Sequence, residues 1–335
     1  MNTMKQILIL QTGGTIAMRE GNSETVDFPN NGMGLHLREQ MPELEKLANF
    51  VVHTLFIEDS SDINPTHWET IALHIYQNHE LYDGFVIIHG TDTMAYTASF
   101  LSFIFKGFNK PIVLTGSQIP LHNVRSDARR NMINALELAC SDINEVGICF
   151  NDKFLRGNRS TKMSIGDFDA FSSPNFPPLA EIGLNIIFLN KEYKSKPNFE
   201  FLCRWDDRIA IIKVYPGMKP DYIAHLIESD VQCVIIEAFG SGNVPVKSAY
   251  DLIPFVQSCT NKGKTVVITS QAPYDAVDLD KYANARLLKQ AGAISAGDMT
   301  IEACVTKMMF LLGQYKNHDI IRSLFEQNLA GERSI

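Results

Sequence analysis

The chain predicts an α/β protein of two domains: a larger N-terminal domain on a doubly wound, mostly parallel sheet, and a smaller C-terminal parallel α/β domain. Three observations carry that expectation. Apolar runs of strand length alternate with longer helical patterns, the signature of βαβ units covered on both faces, with the strands expected all to run out toward one edge. Several of those runs stop at turns rich in Gly, Thr, Ser and Asp. A chain of 335 residues has room for two ordinary domains, each with its own core.

The first element is Lys5 to Ala17, KQILILQTGGTIA, in which Ile7 to Leu10 reads as a buried strand breaking into Thr12-Gly13-Gly14-Thr15. Met18 to Met33, with Gly21, Asn22, Ser23, Pro29, Asn30, Asn31 and Gly32, reads as a long surface loop of the kind that forms lids. Helix is expected over Leu35 to Gln40 and Pro42 to Ala48. The strand Phe50 to Ile57 ends in Glu58-Asp59-Ser60-Ser61-Asp62, and Asn64-Pro65-Thr66 opens a helix through His79. Gly84 to His89 is a buried strand ending in Gly90-Thr91-Asp92-Thr93, with Thr91 or Asp92 placed to cap the apolar helix Met94 to Phe105. Pro111 to Thr115 is a strand ending in Gly116-Ser117-Gln118; a helix over Ala128 to Cys140 and a strand over Val146 to Phe150 follow. A polar segment then holds Asn158-Arg159-Ser160-Thr161-Lys162.

Pro174, Pro177 and Pro178 loosen the pattern, and Lys191, Lys194 and Lys196 mark a polar stretch. The domains are therefore expected at 1–190 and 208–335, joined by a linker at 191–207. In the second, strands are expected at Ile209 to Val214, Val231 to Ala238 and Thr265 to Ser270. Helices are expected near Asp221 to Ile227, Ala249 to Cys259, Lys281 to Ala291, Thr300 to Leu312 and His318 to Leu329.

Composition excludes several functions. A hydrophobic fraction of 45% with 20% charged residues is globular, and a formal charge of −8 leaves no basic stripe for nucleic acid. No segment approaches the ~18 apolar residues that span a bilayer. The N-terminus lacks an apolar signal region, and six cysteines stand singly without a CxxC pair, so reduced thiols and a cytoplasmic location are expected. There is no GxGxxG and no GxxxxGK[ST], which argues against dinucleotide or nucleoside triphosphate cofactors. His67, His74 and His79 share a helix without metal-ligand spacing, and Trp68, Phe100, Phe103 and Phe105 read as core.

Ligands of open α/β sheets bind beyond the carboxyl ends of the strands, so Thr15, Ser60, Thr91 with Asp92, and Ser117 with Gln118 converge on one sheet edge. The opening turn reads two ways: a plain glycine turn capped by two threonines, or a close-approach turn with Thr15 as nucleophile beside it. An alcohol needs a base to take its proton. Lys162 is either an exposed loop lysine or that base, desolvated and bonded to Thr91 and Asp92. Gly14 N–H and the amide near Thr91 are the expected oxyanion donors, while His89 reads as a core side chain.

Thr12-Gly13-Gly14-Thr15-Ile16-Ala17, His89-Gly90-Thr91-Asp92-Thr93-Met94 and Thr161-Lys162, in that order, resemble the two signature motifs and the catalytic lysine of the bacterial-type L-asparaginase family. The likeness covers nearly the whole chain. It is nearest the cytoplasmic type I branch through Asp59-Ser60-Ser61-Asp62, Thr115-Gly116-Ser117-Gln118, Arg156-Gly157-Asn158-Arg159 and Ala296-Gly297-Asp298-Met299-Thr300. The resemblance implies that Thr15 attacks the side-chain amide of L-asparagine, forming an aspartyl ester that water cleaves, without metal or organic cofactor. It implies that Thr91, Asp92 and Lys162 relay protons, and that Gly14, Asp59, Ser60, Ser61, Gly90, Thr91, Asp92, Ser117 and, from a neighbouring subunit, Asn243 bind the substrate. A homodimer or homotetramer is implied. Two features depart from the family pattern. No tyrosine lies between Thr15 and Tyr76, Phe28 being the nearest aromatic, and Glu237 and Ala272 stand where some members carry a regulatory arginine and cysteine. A glutaminase-asparaginase, an ammonia-donating amidotransferase subunit and a two-lobed small-molecule binding protein are the alternatives.

Overall fold

The computed structural model describes residues 4–17, 32–189 and 199–334. Phe28 with the loop around it, and Lys191, Lys194 and Lys196, lie outside the described residues. The chain divides into two units, Met1–Cys203 and Arg204–Ile335.

In the first unit the elements run β1 (Gln6–Gly13), α1 (Gly32–Gln40), β2 (Asn49–Glu58), α2 (Pro65–Asn78), β3 (Gly84–Ile88), α3 (Met94–Ile104), β4 (Ile112–Thr115), α4 (Ala128–Ala139) and β5 (Val146–Phe150). Five short strands follow: β6 (Lys153–Arg156), β7 (Thr161–Lys162), β8 (Phe171–Ser172), β9 (Ala180–Ile182) and β10 (Ile186–Phe188). The main sheet has the order β10-β9-β6-β5-β4-β3-β1-β2. From β2 to β5 every pairing is parallel. Ile7 to Leu10 and Phe85 to Ile88 have no exposed surface, as continuous apolar runs sandwiched between helix layers should.

Three expectations change. The strands do not all leave toward one edge, because β5–β6, β6–β9 and β9–β10 are antiparallel. The reversal begins at Asn151-Asp152, where Asn151 takes φ +54 in a two-residue hairpin loop, a conformation asparagine tolerates. Thr91 and Asp92 do not cap α3: its N-cap is Thr93, whose hydroxyl is engaged elsewhere. The segment from Pro42 closes as a 3₁₀ turn, Pro42–Lys46, instead of a full α-helix.

In the second unit β11 (Ile209–Lys213), α5 (His225–Glu228), β12 (Cys233–Ala238), α6 (Ile253–Asn261), β13 (Thr265–Ser270), α7 (Ala283–Gln290), β14 (Ile294–Ser295), α8 (Ile301–Gln314) and α9 (His318–Phe325) follow in order. The sheet β11-β12-β13-β14 is parallel throughout. The helix expected from Ala249 starts only at Ile253, with proline in its first turn, after a 3₁₀ turn over Ser248–Tyr250. α9 stops at Phe325, short of Leu329. The fully buried Lys307 ammonium of α8 bonds Phe325 O at 2.7 Å, so a side chain satisfies that terminal carbonyl. The same ammonium pairs with buried Glu332 at 2.5 Å, and Glu332 accepts from the N–H groups of Leu329 and Ala330.

Candidate active site

The parallel register places the carboxyl ends of β2, β1, β3 and β4 side by side, and the turns that leave them touch through backbone. Gly14 holds φ +85, and a Cβ there would stand 2.7 Å from Gly90 N. A Cβ on Gly90 would meet Ser60 Oγ at 2.7 Å. Only glycine lets the turns approach this closely. Thr15 follows directly, half-buried at the start of the 3₁₀ turn Thr15–Ala17. Thr12 is buried, and its hydroxyl donates to Ile88 O at 2.9 Å, tying the first turn to β3.

Ser60 is the buried joint between two turns. Its Oγ accepts from Asp92 N–H at 3.2 Å, and its carbonyl accepts from the Thr93 hydroxyl at 2.6 Å. Asp59 caps the 3₁₀ turn Ser60–Asp62 by accepting from Ser61 N–H and Ser61 Oγ–H, each at 2.8 Å. Those two donors hold the Asp59 carboxyl below its usual pKa.

Lys162 reaches the same edge from far along the chain. The 3₁₀ turn Gly157–Arg159 packs on α3, and β7 then pairs with β8 as a small ribbon. Lys162 Nζ donates to Thr91 Oγ1 at 2.8 Å and to Asp92 Oδ1 at 2.6 Å. As an ammonium it polarises the Thr91 oxygen; as an amine it can accept a proton through it. Thr91 Oγ–H in turn faces Gln118 Oε1 at 3.5 Å, while Gln118 Nε2 donates to Asp167 O at 3.1 Å.

Of the residues expected from sequence, Gly14, Thr15, Asp59, Ser60, Ser61, Gly90, Thr91, Asp92 and Lys162 therefore lie on or beside these touching turns. Ser117, also at this edge, is buried, and its Oγ has no hydrogen-bond partner among the described residues. Asn243 belongs to the second unit, where its backbone pairs with Phe239 across the Gly240–Gly242 turn. With Ser241, Ala272, Tyr274 and Asp278 it lines a cavity of about 640 Å³. Glu237, on β12, is half-buried.

Sequence reasoning missed one support. Buried Asp127 accepts from the N–H groups of Gln118 and Ile119 and from Asn131 Nδ2, fixing the turn after β4. No sequence signal distinguished it from an ordinary polar residue. His89, expected as a core side chain, is fully buried and bonds both its own turn and α3.

Cysteine chemistry is disfavoured: burial pushes Cys140 and Cys259 up to about 11 and Cys203 and Cys304 up to about 12, and raises Cys149 and Cys233 as well. Among the described residues no three His, Cys, Asp or Glu side chains gather as a metal site requires, and no helix is long and apolar enough to cross a membrane.

A two-domain α/β fold that brings hydroxyls, a carboxylate and an ammonium to the carboxyl edge of its larger sheet is equipped as an α/β enzyme of nucleophilic and acid–base chemistry. The family model described as Asparaginase, N-terminal matches residues 6–194, and the Glutaminase/Asparaginase C-terminal domain matches residues 208–325. The chain belongs to the asparaginase family. It is 40% identical to L-asparaginase 1 of Escherichia coli (strain K12) over 337 residues, 98% of each chain. The crystal structure of L-asparaginase I from Vibrio cholerae O1 biovar eltor matches it with a TM-score of 0.90 at 39% identity, covering 99% of this chain and 100% of that one. A glutamyl-tRNA(Gln) amidotransferase subunit of Pyrococcus abyssi (strain GE5 / Orsay) is 34% identical over 341 residues, 98% of this chain and 77% of that protein.

Proposed function

We propose that this chain is an L-asparaginase that converts L-asparagine to L-aspartate and ammonia through an ester on Thr15. The observation that carries the reading is Lys162 Nζ, 2.8 Å from Thr91 Oγ1 and 2.6 Å from Asp92 Oδ1, at the sheet edge where the Thr15 turn touches Gly90. Thr15 Oγ attacks the side-chain amide carbon, and the Gly14 and Thr91 N–H groups stabilise the developing oxyanion. As the C–N bond breaks, the proton lost by the Thr15 hydroxyl passes to the departing nitrogen, and ammonia leaves. Water, giving its proton toward Thr91 and Lys162, then cleaves the ester and restores the Thr15 hydroxyl. Ser60, Ser61, Asp59 and Asp92 hold the α-carboxylate and α-ammonium, with Gly90 and Ser117 completing the wall.

The domain of residues 1–190 carries this machinery, and Asn243 in the domain of residues 208–335, beyond the linker 191–207, completes a neighbouring subunit's site in a cytoplasmic homodimer or homotetramer. No metal or organic cofactor enters any step. A glutaminase-asparaginase, or a subunit that passes ammonia to a partner as the name of the Pyrococcus relative suggests, would use the same Thr15 and Lys162. Ammonia release from L-asparagine, L-glutamine and their D-forms, with and without a partner, separates these readings. Thr15→Ala is expected to abolish release while the fold stays intact; full activity in that variant removes Thr15 from the mechanism.

A further inference from the structure

We propose that His89 is a positioning residue: its imidazole, held between the Gly90 carbonyl and the Thr97 hydroxyl, sets the Gly90–Thr91 peptide plane so that Thr91 N–H faces the reacting amide. The inference rests on the amide hydrolysis proposed above and names the residue that orients one of its oxyanion donors.

His89 directly follows β3, a strand of five buried apolar residues, and is itself fully buried. A leucine would fill the same space without the cost of desolvating a polar ring. What leucine lacks is a donor. His89 Nδ1 lies 2.7 Å from Gly90 O, and a carbonyl only accepts, so Nδ1 carries the proton. Nε2, 2.8 Å from Thr97 Oγ1, is then the acceptor of that hydroxyl's proton. Burial pushes the ring's pKa down to about 4, so at neutral pH it stays in this one neutral form.

A trans peptide is planar, with its C=O and N–H on opposite sides. Drawing the Gly90 carbonyl onto a buried imidazole therefore turns Thr91 N–H away from the core. That N–H meets no acceptor among the described residues. Gly90 cannot yield sideways, because Ser60 and Gly14 stand against it, and His89 N–H is itself bonded to Thr115 O at 2.9 Å.

The test is steady-state ammonia release by the full chain carrying His89→Asn, His89→Gln or His89→Leu, with a thermal melt of each. An asparagine amide reaches the place of Nδ1, and a glutamine amide reaches that of Nε2. Losing an oxyanion donor costs about 10²- to 10³-fold in kcat, so folded His89→Leu and His89→Gln are expected to fall by about 10²-fold with KM changed less than about threefold. His89→Asn, which restores the donor to Gly90 O, is expected to stay within about tenfold of the parent. If His89→Leu does not fold, the Asn and Gln pair decides. A folded His89→Leu within about threefold of the parent kcat, or Asn and Gln variants equally impaired, overturns the proposal. A parent enzyme that releases no ammonia from any amide refutes the hydrolysis itself and the role of His89 with it; an active parent with indifferent variants refutes only His89.

Discussion

Replacing Lys162 with methionine separates what the ion pair does for the reaction from what it does for the fold. Methionine keeps the unbranched stem and removes only the ammonium. Lys162 is 15% exposed at its side chain, but its partner Asp92 is 63% exposed, so the orphaned carboxylate is hydrated at once. An exposed pair of this kind contributes about 0–1 kcal/mol, which for a unit of this size lowers Tm by no more than about 2–4 °C. The rate should respond on another scale. Thr91 loses the donor 2.8 Å from its oxygen and the proton route through it. Losing a positioned acid–base group costs about 10²- to 10⁴-fold, or about 3–5 kcal/mol of transition-state stabilisation. Ammonia release gives kcat and KM, and calorimetry gives Tm. The expected outcome is a kcat loss of that order with KM changed less than about threefold. Lys162→Arg should be equally slow, since a guanidinium keeps the charge but does not surrender its proton. A turnover number within about threefold of the parent, or a loss explained by KM, would refute the relay.

Three further outcomes are expected. Gly14→Ala puts a Cβ at φ +85 and 2.7 Å from Gly90 N, so strain and overlap should together cost about 3 kcal/mol, seen as a Tm fall of about 6–12 °C with at least tenfold lower activity. Lys307→Met leaves the Glu332 carboxylate buried without its cation and should cost about 3–5 kcal/mol in denaturant titration; adding Glu332→Gln, which removes the charge but keeps an acceptor, should recover most of it. His89 has a folded pKa of about 4, below its usual 6.5, so the unfolded chain binds the extra proton first. Its contribution to stability is complete above about pH 6.5 and lost as pH falls toward 4. Tm measured across that window should fall less steeply in His89→Asn than in the parent.

The strands that build the site were legible because each is a long apolar run with no competing pattern, cut off by glycine and hydroxyl residues. The antiparallel flank was not. β6, β9 and β10 hold three or four residues each, several half-exposed, and the loop that turns the chain from β5 into β6 is Asn151-Asp152, indistinguishable from any polar stretch. Helix ends failed where a tertiary partner replaced a local cap, as Lys307 does for α9 and as Ser60 does by engaging Thr93. The bond between Thr91 and Lys162 spans 71 positions and has no periodic signature, so the residues alone left Lys162 open between an exposed loop lysine and a base beside Thr91, and the family's motifs favoured the second. His89 is the buried core side chain its strand-end position predicted, but which atom each ring nitrogen faces has no counterpart in the sequence.

The backbone contact between the turns at Gly14 and Gly90 has a consequence for how such an enzyme can change. With no side chain interposed, the separations between reactive groups are inherited from the interval between neighbouring strands, about 4.8 Å, which no repacking of the interior alters. Substitutions can accumulate in the interior without detuning the chemistry wherever the side chain, unlike that of His89, bonds no turn of the site. Altered substrate preference must instead be written into the few side chains projecting past that seam, where a new residue meets ligand before it meets protein.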